Sequence, residues 1–407
     1  MTGAAVEAPV VPLRRNRDFR LLWCGQVTSE LGAASSQLAV PLLVLSLTGS
    51  PAQAGLVATA AAVVSAGGRL PGGALADRWN RRRLMLGSDA GRLVVSLLLA
   101  AAVLTGHATV PFVLVSVSLI ALLDVVFQPA ETAAIARLVP AAQLGAAFSG
   151  NEARSYAASL GGPPLGGLLY GLGRAVPFLA DALSYLVSLV AVAAIRTPLQ
   201  EHRPAGPRRS LLADIGQGLA HVRASRFLRA LLVVAAPLNF ALTGSVFTLT
   251  VTLRQAGTAA GTIGLLQALL GVGGLLGAFA AAGLTRRLPL PRLVALVCAT
   301  STVAVGAAAA LSGHLLMGVP LAAALFVAPA ANAGLFARLG ATVPDAVQSR
   351  VVSVVLLAAT SAAALAPAAC GVLVTVAGGR AALLCCTAAL IAALAVALTS
   401  RGLREDG

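Results

Sequence analysis

Charge is what this sequence has least of. Of its 407 residues only 11% are charged and 58% are hydrophobic, and a soluble chain of this length would need far more charge to cover its surface. Lysine is missing altogether, so all 29 basic residues are Arg, a composition expected of a GC-rich bacterial genome. The four His (107, 202, 221 and 314) are not spaced as metal-ligand pairs. The five Cys (24, 298, 370, 385 and 386) lie in apolar runs without metal-ligand spacing and read as buried, inert thiols. There is no phosphate-cradling P-loop, so ATP is not the energy source expected in this chain. "GVGGLLG" at 271–277 lacks the third Gly of a dinucleotide fingerprint. These absences argue against an enzyme and leave no metal or cofactor to expect. The first seventeen residues lack an apolar core followed by a small-residue cleavage site, so no removable signal peptide is expected.

What is present is a series of long apolar runs. Twelve are counted, at 19–47, 52–75, 84–106, 109–132, 149–171, 175–196, 228–253, 258–283, 291–312, 315–337, 350–376 and 380–400. Each is close to the ~20 residues a helix needs to cross a bilayer's hydrocarbon core. The runs are continuous and rich in Ala and Leu, so helices are expected and a barrel of alternating strands is not. The sequence thus predicts an all-α polytopic membrane protein.

The formal net charge of +15 tempts a nucleic-acid reading, but the distribution of Arg speaks against such a partner. The N-terminus carries Arg14, Arg15, Arg17 and Arg20, and Arg78, Arg81, Arg82 and Arg83 follow the second run. Segment 196–229 holds seven Arg, whereas the loops at 48–51, 107–108 and 313–314 hold none and those near 174, 254 and 380 hold one each. This is the positive-inside pattern. It predicts a multi-pass plasma-membrane protein with both termini and the middle segment in the cytoplasm, its basic loops near anionic lipid head groups.

The runs divide six and six around the polar, Pro-bearing "TPLQEHRPAGPRRS" at 197–210. The expected organisation is a six-helix bundle at 1–196, a cytoplasmic linker with an amphipathic helix at 197–227, and a second six-helix bundle at 228–407. In the linker Leu211, Leu212, Ile215, Leu219 and Val222 share one helical face. The halves repeat weakly: "GGALADRWNRRRLM" after run 2 corresponds to "AAGLTRRLPLPRL" after run 8. Such internal repeats build the rocking bundles of secondary transporters.

The loop pattern Gly73-x-Leu75-Ala76-Asp77-Arg78-x-x-Arg81-Arg82 resembles the loop motif of the major facilitator superfamily, with Asn80 where Gly is usual. Asn tolerates a left-handed turn, so the departure is mild. The resemblance implies a cytoplasmic gate in which Gly73, Asp77, Arg78, Arg81 and Arg82 control the inward-closed state. Glu131 and Arg137, at the inner end of run 4, are expected within reach of that loop. "NEARSYAASLGGPPLGGLLYG" in run 5 is dense in small residues that allow close helix approach. It resembles the fifth-span motif of the superfamily's antiporters, with Gly162, Pro163, Gly166 and Gly167 matching. "FQPAETAAIARLVP", "PFLADALSYLVS" and "ATVPDAVQSRVVS" resemble the macrolide- and siderophore-exporter branch of the drug:proton antiporters. The resemblance implies the twelve-helix major facilitator fold, acting as a monomer, and efflux of small amphipathic molecules in exchange for protons. An importer or facilitator on the same fold is the alternative, and a transport-dead membrane sensor a more distant one.

Charge at bilayer depth is expensive and marks candidate function. Six of the fourteen acids, Glu30, Asp89, Asp124, Glu131, Glu152 and Asp181, lie in or beside runs of the first half, and none lies within a run of the second. Glu30 and Asp124 fall deepest in runs 1 and 4, which the resemblance places around the central cavity. They are the proton-coupling candidates, although either could instead pair with an Arg to hold the bundle together. Gln26 and Gln37 share the face of Glu30, Gln128 shares that of Asp124, and the second half offers Asn239, Thr243 and Asn332 as neutral cavity groups. Asp89 and Arg92 are expected to pair at i, i+3. Glu152 and Arg154 read as structural, and Asp181 is left without a role.

Overall fold

The computed structural model describes residues 12–200, 211–342 and 345–400. Residues 70, 71, 73, 74, 76–78, 211–215, 217, 218, 336, 340–342, 345–350 and 353 are described as backbone only. Helix follows helix: α1 (Arg17–Thr48), α2 (Pro51–Arg78), α3 (Arg81–Leu104), α4 (Val110–Leu138), α5 (Leu144–Leu172) and α6 (Val176–Ala194) form the first set. The linker helix is α7 (Leu211–Ala224). The second set is α8 (Arg226–Gln255), α9 (Ala260–Arg287), α10 (Leu290–Ala310), α11 (Gly318–Thr342) and α12 (Asp345–Thr399).

At about 1.5 Å per residue, the 55 residues of α12 would reach roughly 80 Å, far beyond a ~30 Å hydrocarbon core. Gly378 resolves this, because its φ of 83° breaks the helix into two antiparallel spans. Nine helices among the described residues are long and apolar enough to cross a membrane, α12 counted once. Its second span, with α2 and α5, completes the twelve expected from the sequence.

Local chemistry places the helix starts. Asn16 Oδ1 accepts from Phe19 N at 3.1 Å and opens α1, and Ser50 Oγ accepts from Gln53 N at 3.4 Å and opens α2. Asn80 does the same for α3, accepting from Arg83 N at 3.1 Å. The left-handed turn entertained for Asn80 is therefore not used: its φ is −64°, and its side chain caps instead.

Two bundles result. α1 packs on α5 and α6, α3 on α4 and α6, and α2 on α4; in the second bundle α8 packs on α12, α9 on α11, and α10 on both α11 and α12. The bundles meet through α2 with α12 and α5 with α9. One end of the molecule carries the Arg-bearing turns between α2 and α3 and between α9 and α10, and is called the basic end. The opposite end, called the neutral end for its sparser charge (Arg174, Arg254 and Arg380), carries the turns at Gly49, Gly106, Gly257, Gly313 and Gly378.

The cores follow this division. At the neutral end a single buried cluster joins both bundles, with Leu38, Leu42 and Val57 from the first and Phe247, Leu249 and Ile263 from the second. Towards the basic end the described cores are separate. Phe19, Leu22, Met85, Phe127 and Ile135 fill the first bundle, and Phe227, Leu228, Leu231 and Val351 fill the second. Val222 of α7 is buried in the second of these, which fastens the end of the linker helix to α8 and α12. Among the described residues the halves share a core at the neutral end and keep separate cores towards the basic end.

Candidate functional site

Two Arg-centred clusters occupy the interior of the first bundle. In one, Arg92 of α3 pairs with Asp89 one turn earlier (2.5 Å) and with Asp124 of α4 (2.9 Å). The guanidinium lies 4.4 Å from the ring centre of Phe127 and 4.6 Å from that of Tyr185, and both aromatic faces favour a cation. Ser188 of α6 donates to Asp89 Oδ2 at 2.7 Å and itself accepts from Gln26 Nε2 of α1 at 2.7 Å. Four helices are tied through this cluster. Asp89 is fully buried, whereas the Asp124 side chain is 49% exposed.

In the other cluster Arg154 of α5 donates through Nη2 to Glu30 of α1 and to Glu131 of α4, each at 2.9 Å. Ser155 Oγ donates to both Glu30 oxygens at 3.2 Å. Arg154 and Glu131 are buried, and the Glu30 side chain is 20% exposed. The clusters share a design: one guanidinium, one buried carboxylate and one carboxylate partly open. With both acids charged, each carries one negative charge in excess. One added proton would make each neutral.

Several expectations are corrected here. Glu131, expected near the loop after α2, turns inward to Arg154, because a buried carboxylate needs a cation and that guanidinium is the one within reach. Arg154, read as structural beside Glu152, is the centre of the second cluster, while Glu152 is exposed. Gln26, expected to line the cavity, is buried and spent on Ser188. Gln37, Gln128, Asn239, Thr243 and Asn332 are exposed. Asn239 Nδ2 also donates to its own helix at Ala235 O, 2.9 Å away.

Asp181 of α6 is 2% exposed, accepting from Ser96 Oγ at 3.3 Å while its other oxygen has no hydrogen-bond partner among the described residues. The sequence reading anticipated the Asp89–Arg92 pair, and an Arg partner for Glu30 or Asp124 as an alternative, but not that each Arg gathers two acids. Arg92 and Arg154 both lie inside apolar runs of the first half that also carry an acid, and that was the available signal.

Of the loop motif, the side chains of Gly73, Asp77 and Arg78 lie outside the described residues. Arg81 Nη1 donates to Leu199 O at 3.3 Å, and Arg82 Nη2 donates to Ala193 O. Their partners are thus carbonyls at and beyond the end of α6, where the last carbonyls of a helix lack intrahelical donors. Nearby, Asp18 Oδ2 accepts from Arg196 N (3.2 Å), Thr197 N (2.9 Å) and Thr197 Oγ1 (2.6 Å), which fixes the same chain end to α1.

The small residues of α5 work on two faces. A Cβ at Gly162 would strike Ala34, and one at Gly166 would strike the carbonyl of Ser35, both on α1. A Cβ at Gly167 would strike the Ala260 carbonyl of α9. The Pro163 carbonyl in turn fills the space beside Gly264. On the other seam Gly55 of α2 meets the Pro367 carbonyl, and Gly371 of α12 meets the Pro51 carbonyl. Thr59 Oγ1 accepts from Ala368 N at 2.9 Å. Both seams lie near the neutral end.

Residues 7–405 match the family model described as transmembrane secretion effector. Over 225 residues the chain is 30% identical to the multidrug efflux pump Tap of Mycobacterium tuberculosis (strain ATCC 25618 / H37Rv), covering 52% of this chain and 52% of that relative. A Tap pump of Mycobacterium bovis (strain ATCC BAA-935 / AF2122/97) aligns at the same identity and coverage. The chain spans about half the length of the curated relatives it matches. Among solved structures, a bacterial homologue of the human lysosomal transporter Spinster, inward-facing and unoccupied, superposes with TM-score 0.75 at 17% identity, covering 97% of this chain and 98% of that one. An inward-facing bacterial homologue of the iron transporter ferroportin gives 0.68 at 16% identity, covering 95% and 99%. At such identities the likeness is one of fold.

Proposed function

Since the chain belongs to the transmembrane secretion effector family, we propose that it is a secondary active exporter of small amphipathic molecules, drug-, antibiotic- or siderophore-like, driven by exchange for protons. It works by alternating access between units 1–196 and 228–407, coupled through 197–227, as a monomer in the plasma membrane. The basic end is cytoplasmic by the distribution of Arg, so separate cores at that end and a shared core at the other correspond to an inward-facing state. The name of the Tap relatives supports multidrug efflux as the direction and kind of cargo.

One observation supports the proton reading: in each of the two clusters a single Arg is matched by two carboxylates, one of them partly open. A net charge inside a bundle is expensive, and a proton removes it. Glu30 and Asp124 are the sites reached from the cleft, while Asp89 and Glu131 hold the guanidinium in place. Gln37, Gln128, Asn239, Thr243 and Asn332 are the neutral groups proposed to meet cargo. Gly73, Asp77, Arg78, Arg81 and Arg82 form the proposed cytoplasmic gate. Gly162, Pro163, Gly166 and Gly167 let α5 approach α1 and α9 closely enough to shut the outer side.

Glu30→Gln and Asp124→Asn mimic the protonated carboxyl and leave each Arg one partner. Assayed in proteoliposomes with an imposed pH gradient, each variant should lose uphill transport while retaining downhill exchange of cargo. Uphill transport at the wild-type rate in both variants would remove the two acids from the coupling role.

A further inference from the structure

A groove of about 530 Å³ opens at the basic end between α2 and α3, over the flank of α4. Its volume falls in the roughly 300–1,000 Å³ range typical of small-molecule sites. Leu75 and Leu84 form its sides and Leu123 and Val126 its floor. Gly87 leaves the groove clear, since a Cβ there would touch nothing within 4 Å. At the mouth stand Arg83 and Trp79, and the Trp79 ring is 60% exposed.

The three consecutive Arg at the start of α3 are not equivalent. Arg81 and Arg82 are engaged on the carbonyls of Leu199 and Ala193. Among the described residues no ion pair or side-chain hydrogen bond occupies the Arg83 side chain, and no carboxylate lines the groove. An open guanidinium at the lip of an apolar slot, beside a Trp at the level where such rings sit in a bilayer, is the complement of a lipid: anion outside, hydrocarbon within. We propose that this groove is a binding site for one anionic phospholipid of the leaflet at the basic end, with its phosphate on Arg83 and an acyl chain along Leu84, Gly87 and Leu123. Anionic head groups attract a nearby Arg, and the slot adds what a surface Arg lacks, a place for the chain. A free phosphate would leave the slot empty and bind only weakly. The site does not depend on what the transporter carries, and because Leu75 and Trp79 flank the α2–α3 turn, a bound lipid would hold that turn.

The test uses the purified full chain in nanodiscs with trace phosphatidylglycerol or phosphatidylcholine carrying a photoreactive acyl chain. The expected result is labelling of residues 84–88 and 123–126, severalfold stronger with phosphatidylglycerol and undiminished by millimolar inorganic phosphate. Arg83→Gln should bring phosphatidylglycerol down to the phosphatidylcholine level, and Gly87→Leu should abolish labelling there by both lipids. Monodisperse elution and an unchanged helical spectrum establish that each variant is folded. Equal labelling of the wild type by the two lipids would overturn the proposal, as would an undiminished preference in folded Arg83→Gln. Displacement by phosphate, or by a transported amphipathic cation but not by unlabelled phosphatidylglycerol, would give the groove to another occupant and overturn it equally.

Discussion

Arg92 is enclosed by Phe127 and Tyr185 on its faces and by Asp89 and Asp124 at its nitrogens, so its removal has a defined cost. Arg92→Met should leave Asp89 buried with only Ser188 as partner, a loss of about 3–5 kcal/mol for a broken buried pair. Thermal unfolding in detergent should show a large drop for Arg92→Met and recovery of most of it when Asp89→Asn and Asp124→Asn are added. A wild-type melting temperature in Arg92→Met alone would mean the cluster does not hold the bundle. The Asp89–Arg92 contact was legible in the sequence because it is local, one helical turn apart. The bonds from Arg92 to Asp124 and from Arg154 to Glu30 and Glu131 were not. They depend on how each helix is rotated about its axis, and a span that is apolar on every side carries no stripe that reveals the rotation.

Helices here approach each other through missing side chains. Gly264 on α9 and Gly167 on α5 each admit a carbonyl of the opposite bundle. Gly264→Leu should wedge this seam apart. Overpacking costs about 1–3 kcal/mol, enough to shift a near-balanced equilibrium roughly 5–150-fold towards opening at the neutral end. The reporter is a disulfide between Leu168→Cys and Gly261→Cys, positions in contact across the seam, in a background without the native Cys. The pair should crosslink readily in that background and poorly once Gly264→Leu is added. Unchanged crosslinking would mean the seam does not control opening. The small residues of α5 were conspicuous in the sequence, and so were the twelve spans, because length and hydropathy are local properties. Their division of labour was hidden: successive faces of one helix serve α1 and α9, which only the assembled bundles define.

At the scale of the molecule, orientation comes first. Single Cys at 107 or 313 should react with an impermeant reagent in intact cells, and Cys at 205 only after the membrane is opened. Labelling of 205 from outside would invert the topology. The Arg pattern of the sequence suggests two halves and an orientation, but carries no sign of which end has the shared core. That depends on a core shared by Leu42 and Phe247, residues of different halves that no periodicity connects. The shared core has an electrical consequence. Voltage falls across dry protein and very little across water, so with the bundles parted at the basic end nearly the whole field drops over the thin sealed layer at the neutral end. On the proposed inward-facing reading, Glu30 and Asp124, which are partly exposed, would sit close to the potential of the basic-side solution. Proton pick-up in this state should respond to pH and hardly to voltage. The swing of the bundles, which carries the clusters to the other side of the field, should feel up to about 2.3 kcal/mol per unit charge per 100 mV. The membrane potential would thus drive the stroke and leave the loading untouched.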